Sequence, residues 1–422
     1  MYEREKMLLG TLCVGLFLAV ACQPSSLNQN TITESSTEFS TALGIDTVLE
    51  FSKALDKDKA DKDKVATEEE KLDEEKLGDE NTDTEFTLVI SGDVLSHNSN
   101  WQAADLGDGR FDYLPQLGDL KGLLSNGDYT LVNLETPISG EKYGYRGFPK
   151  FNAPVNLGQT LKTIGVDMVV TGNNHALDNG LEGLRSNLDN LDRIGLDYVG
   201  TYRSKEEAQQ AKVVDINGIK VGFAATTIRL KMEVPDDYSL NLNRESVIRR
   251  EIAKVRQAGA ELVVFHIHWG KEYKEEPSDV QKTLYKILAE EGVDIVIGSH
   301  PHRLQPIEMK EIVYQGEAKS QALIWSTADL LWGEPISKKY VKTGAVFQIK
   351  VVRENGKARV HDMNYDLIYN LTWFDENGKK QIRVIPESEM EKFRKTHPKE
   401  VREMEKEMEW AHGVLARSVD LD

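Results

Sequence analysis

Val293-Asp294-Ile295-Val296-Ile297 has the apolar density of a strand buried on both faces, and it empties into Gly298-Ser299-His300-Pro301-His302. Where such a strand leaves its sheet, two imidazoles two residues apart can project to one side and share a metal ion or a phosphate. Taken alone, the pair suits a His-Pro-His surface turn equally well. The balance shifts because four other strand-like runs end on side chains of the same chemical kind.

Phe86-Thr87-Leu88-Val89-Ile90-Ser91 runs into Gly92-Asp93, and Tyr129-Thr130-Leu131-Val132-Asn133-Leu134 into Glu135-Thr136-Pro137. Asp167-Met168-Val169-Val170-Thr171 runs into Gly172-Asn173-Asn174-His175, and Leu262-Val263-Val264-Phe265-His266-Ile267-His268 into Trp269-Gly270. Apolar residues at helical spacing over 111–124, 157–164, 181–194, 246–258 and 280–291 fall between these runs. Alternation of this kind predicts βαβ units and a largely parallel sheet. Residues 213–225 predict a hairpin turned at Asn217-Gly218. Past His302, runs at 307–314, 322–326, 344–352 and 358–369 follow one another with turns such as Glu354-Asn355-Gly356 and no helices. They predict a second, antiparallel sheet packed on the first. The expected fold class is therefore a layered α/β sandwich, closed by a charged helix over 387–414.

Ligands of open α/β sheets gather outside the carboxyl ends of strands. Here those ends offer Asp93, Glu135, Asn174 with His175, His268, and His300 with His302. Carboxylate, amide oxygen and imidazole together suit hard to borderline divalent ions such as Mn, Fe or Zn, and the donors suffice for two ions sharing a carboxylate. His175, beside a donor but free itself, is placed to protonate a leaving group. His97 follows Asp93 by four residues and is a further candidate ligand, while His266, on the same side of its strand as His268, suits a supporting role. Arg146, in the Gly- and aromatic-rich stretch Tyr143-Gly144-Tyr145-Arg146-Gly147-Phe148-Pro149, and Arg303 are candidates for holding an anionic substrate. Bland readings stand beside these. Gly92-Asp93 also suits an ordinary turn, Asn174 or Asp178 a helix cap, Glu135 an exposed loop acid, and His268 a core imidazole.

The chain has 422 residues, 40% of them apolar, enough for one large α/β domain with appendages or for two cores. Its formal charge of −18 argues against nucleic acid or an anionic membrane surface as an electrostatic partner. Half of that charge is local, since residues 46–85 hold sixteen Asp or Glu against seven Lys. With almost no aromatic residues, segment 23–85 is expected to be a disordered acidic tether. The two cysteines, Cys13 and Cys22, lie at the start and make no disulfide framework. Arg4 and Lys6 precede an apolar run that ends in Leu18-Ala19-Val20-Ala21-Cys22. Segment 1–22 resembles a bacterial lipoprotein signal, with Cys22 as the lipidated residue. It implies an extracytoplasmic, membrane-anchored protein of the cell envelope.

Five segments in order resemble the CapA family of bacterial capsule synthesis proteins, tied to poly-γ-glutamate formation and built on the calcineurin-like metallophosphoesterase fold. They are Gly92-Asp93-Val94-Leu95, Asn133-Leu134-Glu135-Thr136-Pro137, Asn173-Asn174-His175-Ala176-Leu177-Asp178, His268-Trp269-Gly270-Lys271-Glu272-Tyr273, and Gly298-Ser299-His300-Pro301-His302 running on to Gln305-Pro306-Ile307-Glu308. The resemblance implies a CapA-like domain over 86–375, followed by a charged helical extension over 376–422. It also implies that Asp93, Glu135, Asn174, His268, His300 and His302 are metal ligands and His175 the acid. Two departures stand out. Metallophosphoesterases usually place a histidine two residues after the first aspartate, whereas here His97 is four after Asp93. Where the family tends to carry Ser-Leu-Gly-Asn, this chain has Ser326-Thr327-Ala328-Asp329.

Two functions follow as expectations. One is a two-metal hydrolase of capsule or envelope polymer metabolism, acting on a phosphoester or a γ-glutamyl amide. The other is a non-catalytic accessory that binds an anionic polymer or a membrane-bound polyglutamate synthase complex on the same fold.

Overall fold

The computed structural model describes residues 84–228, 234–333 and 340–421. The signal-type segment, Cys22 and nearly all of the expected tether lie outside the described residues.

Strand β1 (Glu85–Val94) pairs in parallel with β2 (Tyr129–Asn133), which continues through β3 (Met168–Val170) to β4 (Asp197–Val199). A second sheet is built around β5 (Lys212–Ile216), β6 (Ile219–Thr227), β7 (Leu262–His268) and β8 (Ile295–Ser299). The β5–β6 hairpin turns at Asn217 (φ 50°) and Gly218 (φ 80°), the two positive angles that an Asn-Gly turn supplies. The later strands do not form a sheet of their own. β9 (Ile307–Tyr314) and β10 (Glu317–Ile324) extend the second sheet beyond β8, and β11 (Asp329–Leu331) pairs in parallel with the end of β1. β12 (Thr343–Glu354), β13 (Lys357–Phe374) and β14 (Lys380–Pro386) extend the first sheet from the other side of β1. The physical reason is edge coverage. A short parallel sheet leaves rows of unpaired backbone groups at its margins, and antiparallel strands joined by tight turns can cover them.

Residues alternate along the strands between two cores, as a period of two requires. On β1, Leu88 and Ile90 face the second sheet, meeting Val221, Phe223, Val264 and Ile295, while Val89 faces the helices α1 (Asn156–Thr163) and α2 (Gly180–Ile194). On β7, Leu262 and Val264 face the first sheet, while Val263, Phe265 and Ile267 face α3 (Glu245–Gln257) and α4 (Asp279–Glu290). The result is helix, sheet, sheet, helix. This is the layered α/β sandwich expected, with every central strand buried on both faces.

Two elements were not legible beforehand. Segment 376–422, expected as helical, begins with strand β14 on the first sheet. Its helix is interrupted before Pro398, whose ring disfavours helix at the preceding residue, and resumes as α5 (Pro398–Leu415). That helix is charged only outside, since Met404, Met408, Ala411 and Val414 join the core between the sheets.

The two sheets meet at their strand ends through one backbone segment. Residues 325–328 pass between β8 and β1, with the Thr327 N–H donating to the Gly298 carbonyl at 3.0 Å and the Asp93 N–H donating to the Ala328 carbonyl at 2.9 Å. Only glycine permits this approach. A Cβ on Gly298 would lie 2.1 Å from the Trp325 carbonyl oxygen, and one on Gly92 2.0 Å from that of Ala328. Gly92→Ala is therefore expected to lower unfolding stability by ~1–3 kcal/mol through overpacking. Gly118→Ala, whose added methyl meets nothing within 4 Å, serves as the control. Urea unfolding measures both, and equal midpoints would contradict the steric account.

Candidate metal centre

The first sheet brings three strand ends together. Asp93, fully buried in β1, accepts from Asn133 Nδ2 at 2.7 Å on Oδ1 and from the His300 backbone N–H at 3.2 Å on Oδ2. Asn133 Oδ1 in turn accepts from Asn173 Nδ2 at 3.2 Å, and the same amide donates to the Leu134 carbonyl at 2.9 Å. These amides lace the ends of β1, β2 and β3, so the carboxylates of Asp93 and Glu135 are held on a stiff rim.

The second sheet supplies imidazoles. His268, the last residue of β7, lies with Nδ1 2.6 Å from Ser299 Oγ and Nε2 2.7 Å from Asn174 Oδ1. His300 and His302 flank Pro301 with φ of 93° and 52°, a left-handed backbone that costs energy for any residue with a side chain. The cost turns both rings back toward the first sheet. His302 Nδ1 lies 2.9 Å from Asp329 Oδ1 and 3.6 Å from Asp93 Oδ2, and its Nε2 lies 4.0 Å from Glu135 Oε1. Glu135 Oε1 also lies 3.4 Å from His268 Nε2. Donor atoms of Glu135, His300 and His302 fall within 4.8 Å of one another, as do those of Asp93, Glu135, His302 and Asp329. Glu135 and His302 belong to both groups.

The electrostatics favour a cation. Burial, and then the Glu135 carboxylate, push Asp93 well above the usual carboxylate range. Burial by itself would depress His302, but Asp329 and Glu135 outweigh it and raise its pKa to about 10. Burial lowers His268, and burial followed by the neighbouring His268 and His302 holds His300 well below the ordinary imidazole range. Both are thereby kept neutral, the form that offers a lone pair. Both oxygens of Glu135, Nδ1 of His300 and Oδ2 of Asp329 are buried without a hydrogen-bond partner. An uncompensated buried carboxylate costs several kcal/mol, and a divalent ion removes that cost. The donor set therefore fits a metal.

His175 stands beside this cluster. Its Nδ1 is 2.8 Å from Asp178 Oδ2, which also accepts the Phe151 N–H at 2.6 Å, and its ring meets the edge of Phe151 at 4.6 Å. Asp178 thus orients an imidazole rather than capping a helix, and Asn174 bonds His268. The helix that follows begins after Asn179, whose side chain makes no cap bond. Nor do the other bland readings hold, since Asp93 is part of a strand, Glu135 is fully buried and both nitrogens of His268 are engaged.

His97 lies outside both donor groups. It sits edge-on to Phe151 and Trp332, with centroids 5.2 and 4.6 Å away, and burial lowers its pKa to about 3. Buried His266 has its pKa lowered to about 3 by burial and the neighbouring His268. Arg146 bonds the Tyr143 carbonyl and Asn179 Oδ1, anchoring its own loop. Arg303 pairs with Glu275 at 2.9 Å and stacks on Tyr340 and Trp410, tying the His300–His302 turn to α5. Asn133, Ser299 and Asp329 had not been singled out as site residues. Asn133 and Asp329 carried only their places within a family segment and a departure from one. A surface cleft of about 470 Å³ lined by Val155, Lys162 and Arg193 contains none of the donors, so the chemistry is not where the surface is most hollow.

The description "Bacterial capsule synthesis protein PGA_cap" belongs to a family model that matches residues 87–333. A capsule biosynthesis protein CapA of Bacillus anthracis is 31% identical over 200 residues, covering 44% of this chain and 48% of that protein. A PGA biosynthesis protein CapA of Bacillus subtilis is 28% identical over 203 residues, covering 45% and 50%. The chain thus spans about half the length of these curated relatives. Among solved structures, a novel phosphatase from Mycoplasma pneumoniae matches with 14% identity and a TM-score of 0.42, covering 68% of this chain and 95% of that one. A calcineurin-like phosphoesterase from Bacillus subtilis matches with 14% identity and a TM-score of 0.41, covering 76% and 99%.

Because His302 keeps its proton up to about 10, a cation entering the cluster must displace it at neutral pH. Uptake of Mn²⁺ is expected to release protons at pH 7.5 and to tighten as pH rises toward 10. Calorimetric titration in two buffers of different ionisation enthalpy reads this directly. Identical heats in both buffers would contradict it.

Proposed function

The chain belongs to the bacterial capsule synthesis protein PGA_cap family, and from that premise we propose that it is a metal-dependent hydrolase of poly-γ-glutamate capsule or related envelope polymer metabolism. Its substrate class is a phosphoester or a γ-glutamyl amide of an anionic polymer. The observation that carries this reading is Glu135, a carboxylate with no exposed surface and no hydrogen-bond partner on either oxygen, ringed by His268, His300 and His302. Two divalent ions of the Mn, Fe or Zn class, held by Asp93, Glu135, Asn174, His268, His300 and His302, would polarise a phosphoryl or carbonyl oxygen and lower the pKa of water.

The chain's own residues complete the chemistry. With Asp178 accepting from Nδ1, His175 keeps Nε2 for exchanging a proton, and it delivers that proton to the departing oxygen or nitrogen. Phe151 shares Asp178 with His175, so the rim loop and the acid are positioned together. Asn133 and Ser299 hold Asp93 and His268 in place. The segment ending at Cys22 supports an extracytoplasmic protein held to the membrane by lipid, beside a membrane-bound polyglutamate synthase complex.

A non-catalytic accessory role is the second reading. It is favoured by the description of a Mycobacterium tuberculosis relative, 24% identical over 212 residues, as a probable polyglutamine synthesis accessory protein.

Metal content and turnover separate the two. The purified chain is expected to hold about two metal equivalents by mass spectrometry, falling in Glu135→Ala and His300→Ala. Against a panel of phosphoesters and γ-glutamyl peptides, His175→Ala is expected to lower kcat by roughly 10²–10⁴-fold with metal content unchanged. Full metal content without turnover on any substrate would move the assignment to the accessory role. No metal uptake after incubation with Mn²⁺ or Zn²⁺ would end the hydrolase reading.

A further inference from the structure

The expected first-motif histidine is missing, and the structure shows what occupies its surroundings. Leu95, two residues after Asp93, packs with Phe151 and Trp332 in an apolar cluster, and His97 lies against the same two rings. Neither reaches the donor groups around Glu135. A carboxylate approaches from a different part of the chain. β11 runs parallel to β1 with Asp329 directly paired to Asp93, an arrangement created by the passage of residues 325–328 beside Gly92.

Asp329 is 1% exposed. Its Oδ1 lies 2.9 Å from His302 Nδ1, while its Oδ2 is buried with no hydrogen-bond partner. Neutral His302 with its Nδ1–H held by Oδ1 carries its lone pair on Nε2, the nitrogen 4.0 Å from Glu135 Oε1. The unpartnered Oδ2 is left over in a group where donor atoms of Asp93, Glu135, His302 and Asp329 all lie within 4.8 Å.

We propose that Asp329 is a metal ligand of this chain, supplying the fourth donor to an ion bound by Asp93, Glu135 and His302 in place of the absent first-motif histidine. The inference rests on the two-ion reading and deepens it, because it makes the two sites chemically unequal. The Asp329 site has three carboxylates and one imidazole, a hard, oxygen-rich set that favours Mn²⁺ or Mg²⁺. The other has the shared Glu135, the Asn174 amide and the imidazoles of His268 and His300, a set better suited to Zn²⁺ or Fe²⁺. The chain is thus a candidate for a mixed-metal centre, with the harder ion on the Asp329 side.

The test is metal binding by the full-length chain, read by mass spectrometry and by Mn²⁺ electron paramagnetic resonance, with no assay of activity. Wild type is expected to take up two ions. Asp329→Ala and Asp329→Asn are each expected to keep one, tight for Zn²⁺, and to weaken Mn²⁺ binding at least tenfold. His268→Ala is expected to do the reverse, keeping the Mn²⁺ and losing the Zn²⁺. The asparagine variant preserves shape and an acceptor for His302, so it guards against a folding defect, which circular dichroism checks. If Asp329→Asn retains both ions while Asp329→Ala loses one, Asp329 acts only through His302 and its assignment as a ligand is overturned. Two tightly bound ions in both variants overturn it as well. Fewer than two ions in wild type overturn the two-ion reading itself, a distinct result.

Discussion

Two backbones approach each other more closely than a side chain would allow, and the site depends on that approach. Gly298 and Gly92 let residues 325–328 pass between the carboxyl ends of β8 and β1, joined by the Thr327 and Asp93 N–H bonds. Without that passage the sheets would still bury their apolar faces against each other, since sheet packing is non-directional and set by area. Their rims would have no fixed relation. The passage sets the offset at which Asp93 of one sheet receives the His300 N–H of the other.

Once the rims are in register, like charges accumulate. Asp93, Glu135 and Asp329 are all buried, with His302 the one group among their contacts held protonated. Such a cluster is unfavourable by itself, because one imidazolium cannot neutralise three carboxylates. Positive φ at His300 and His302 adds strain. Strain and buried charge coincide on the same few residues, and both are relieved or exploited if cations occupy the cluster. Elsewhere the structure is orderly, with alternating strand faces and covered sheet edges, so the cost is confined to one place.

The C-terminal part supports the site from behind. β14 closes the edge of the first sheet, and α5 adds methionines to the core between the sheets. Trp410 of that helix, together with Tyr340, stacks on Arg303, the residue next to His302. A guanidinium that looked in the sequence like a substrate-binding group is thus engaged in holding the turn that carries the two histidines. Arg146 has a comparable place, bonded to its own loop and to Asn179.

The strand ends carrying Asp93, Glu135, Asn174, His268, His300 and His302 were readable from sequence because buried parallel strands are continuous apolar runs, and a polar residue where such a run stops has few structural uses. The Asn217-Gly218 hairpin was readable because its turn needs two positive φ angles that few dipeptides accept. These features are local, set within one run or one turn. The partition of strands between two sheets was not readable, because an apolar strand pairs about equally well with many partners and only global packing selects among them. For the same reason β11 and β14 went unrecognised, one being three residues long and the other bordered by charge. Asp329 belongs to this second class. Its nearness to Asp93 spans 236 positions of chain through a parallel pairing, and no periodicity or spacing encodes such a contact. The sequence by itself therefore determined the layers and most of the donors, which follow from local patterns of polarity. The tertiary structure alone decided which donors share an ion and which arginines are occupied, because those depend on backbone approaches between segments far apart in the chain.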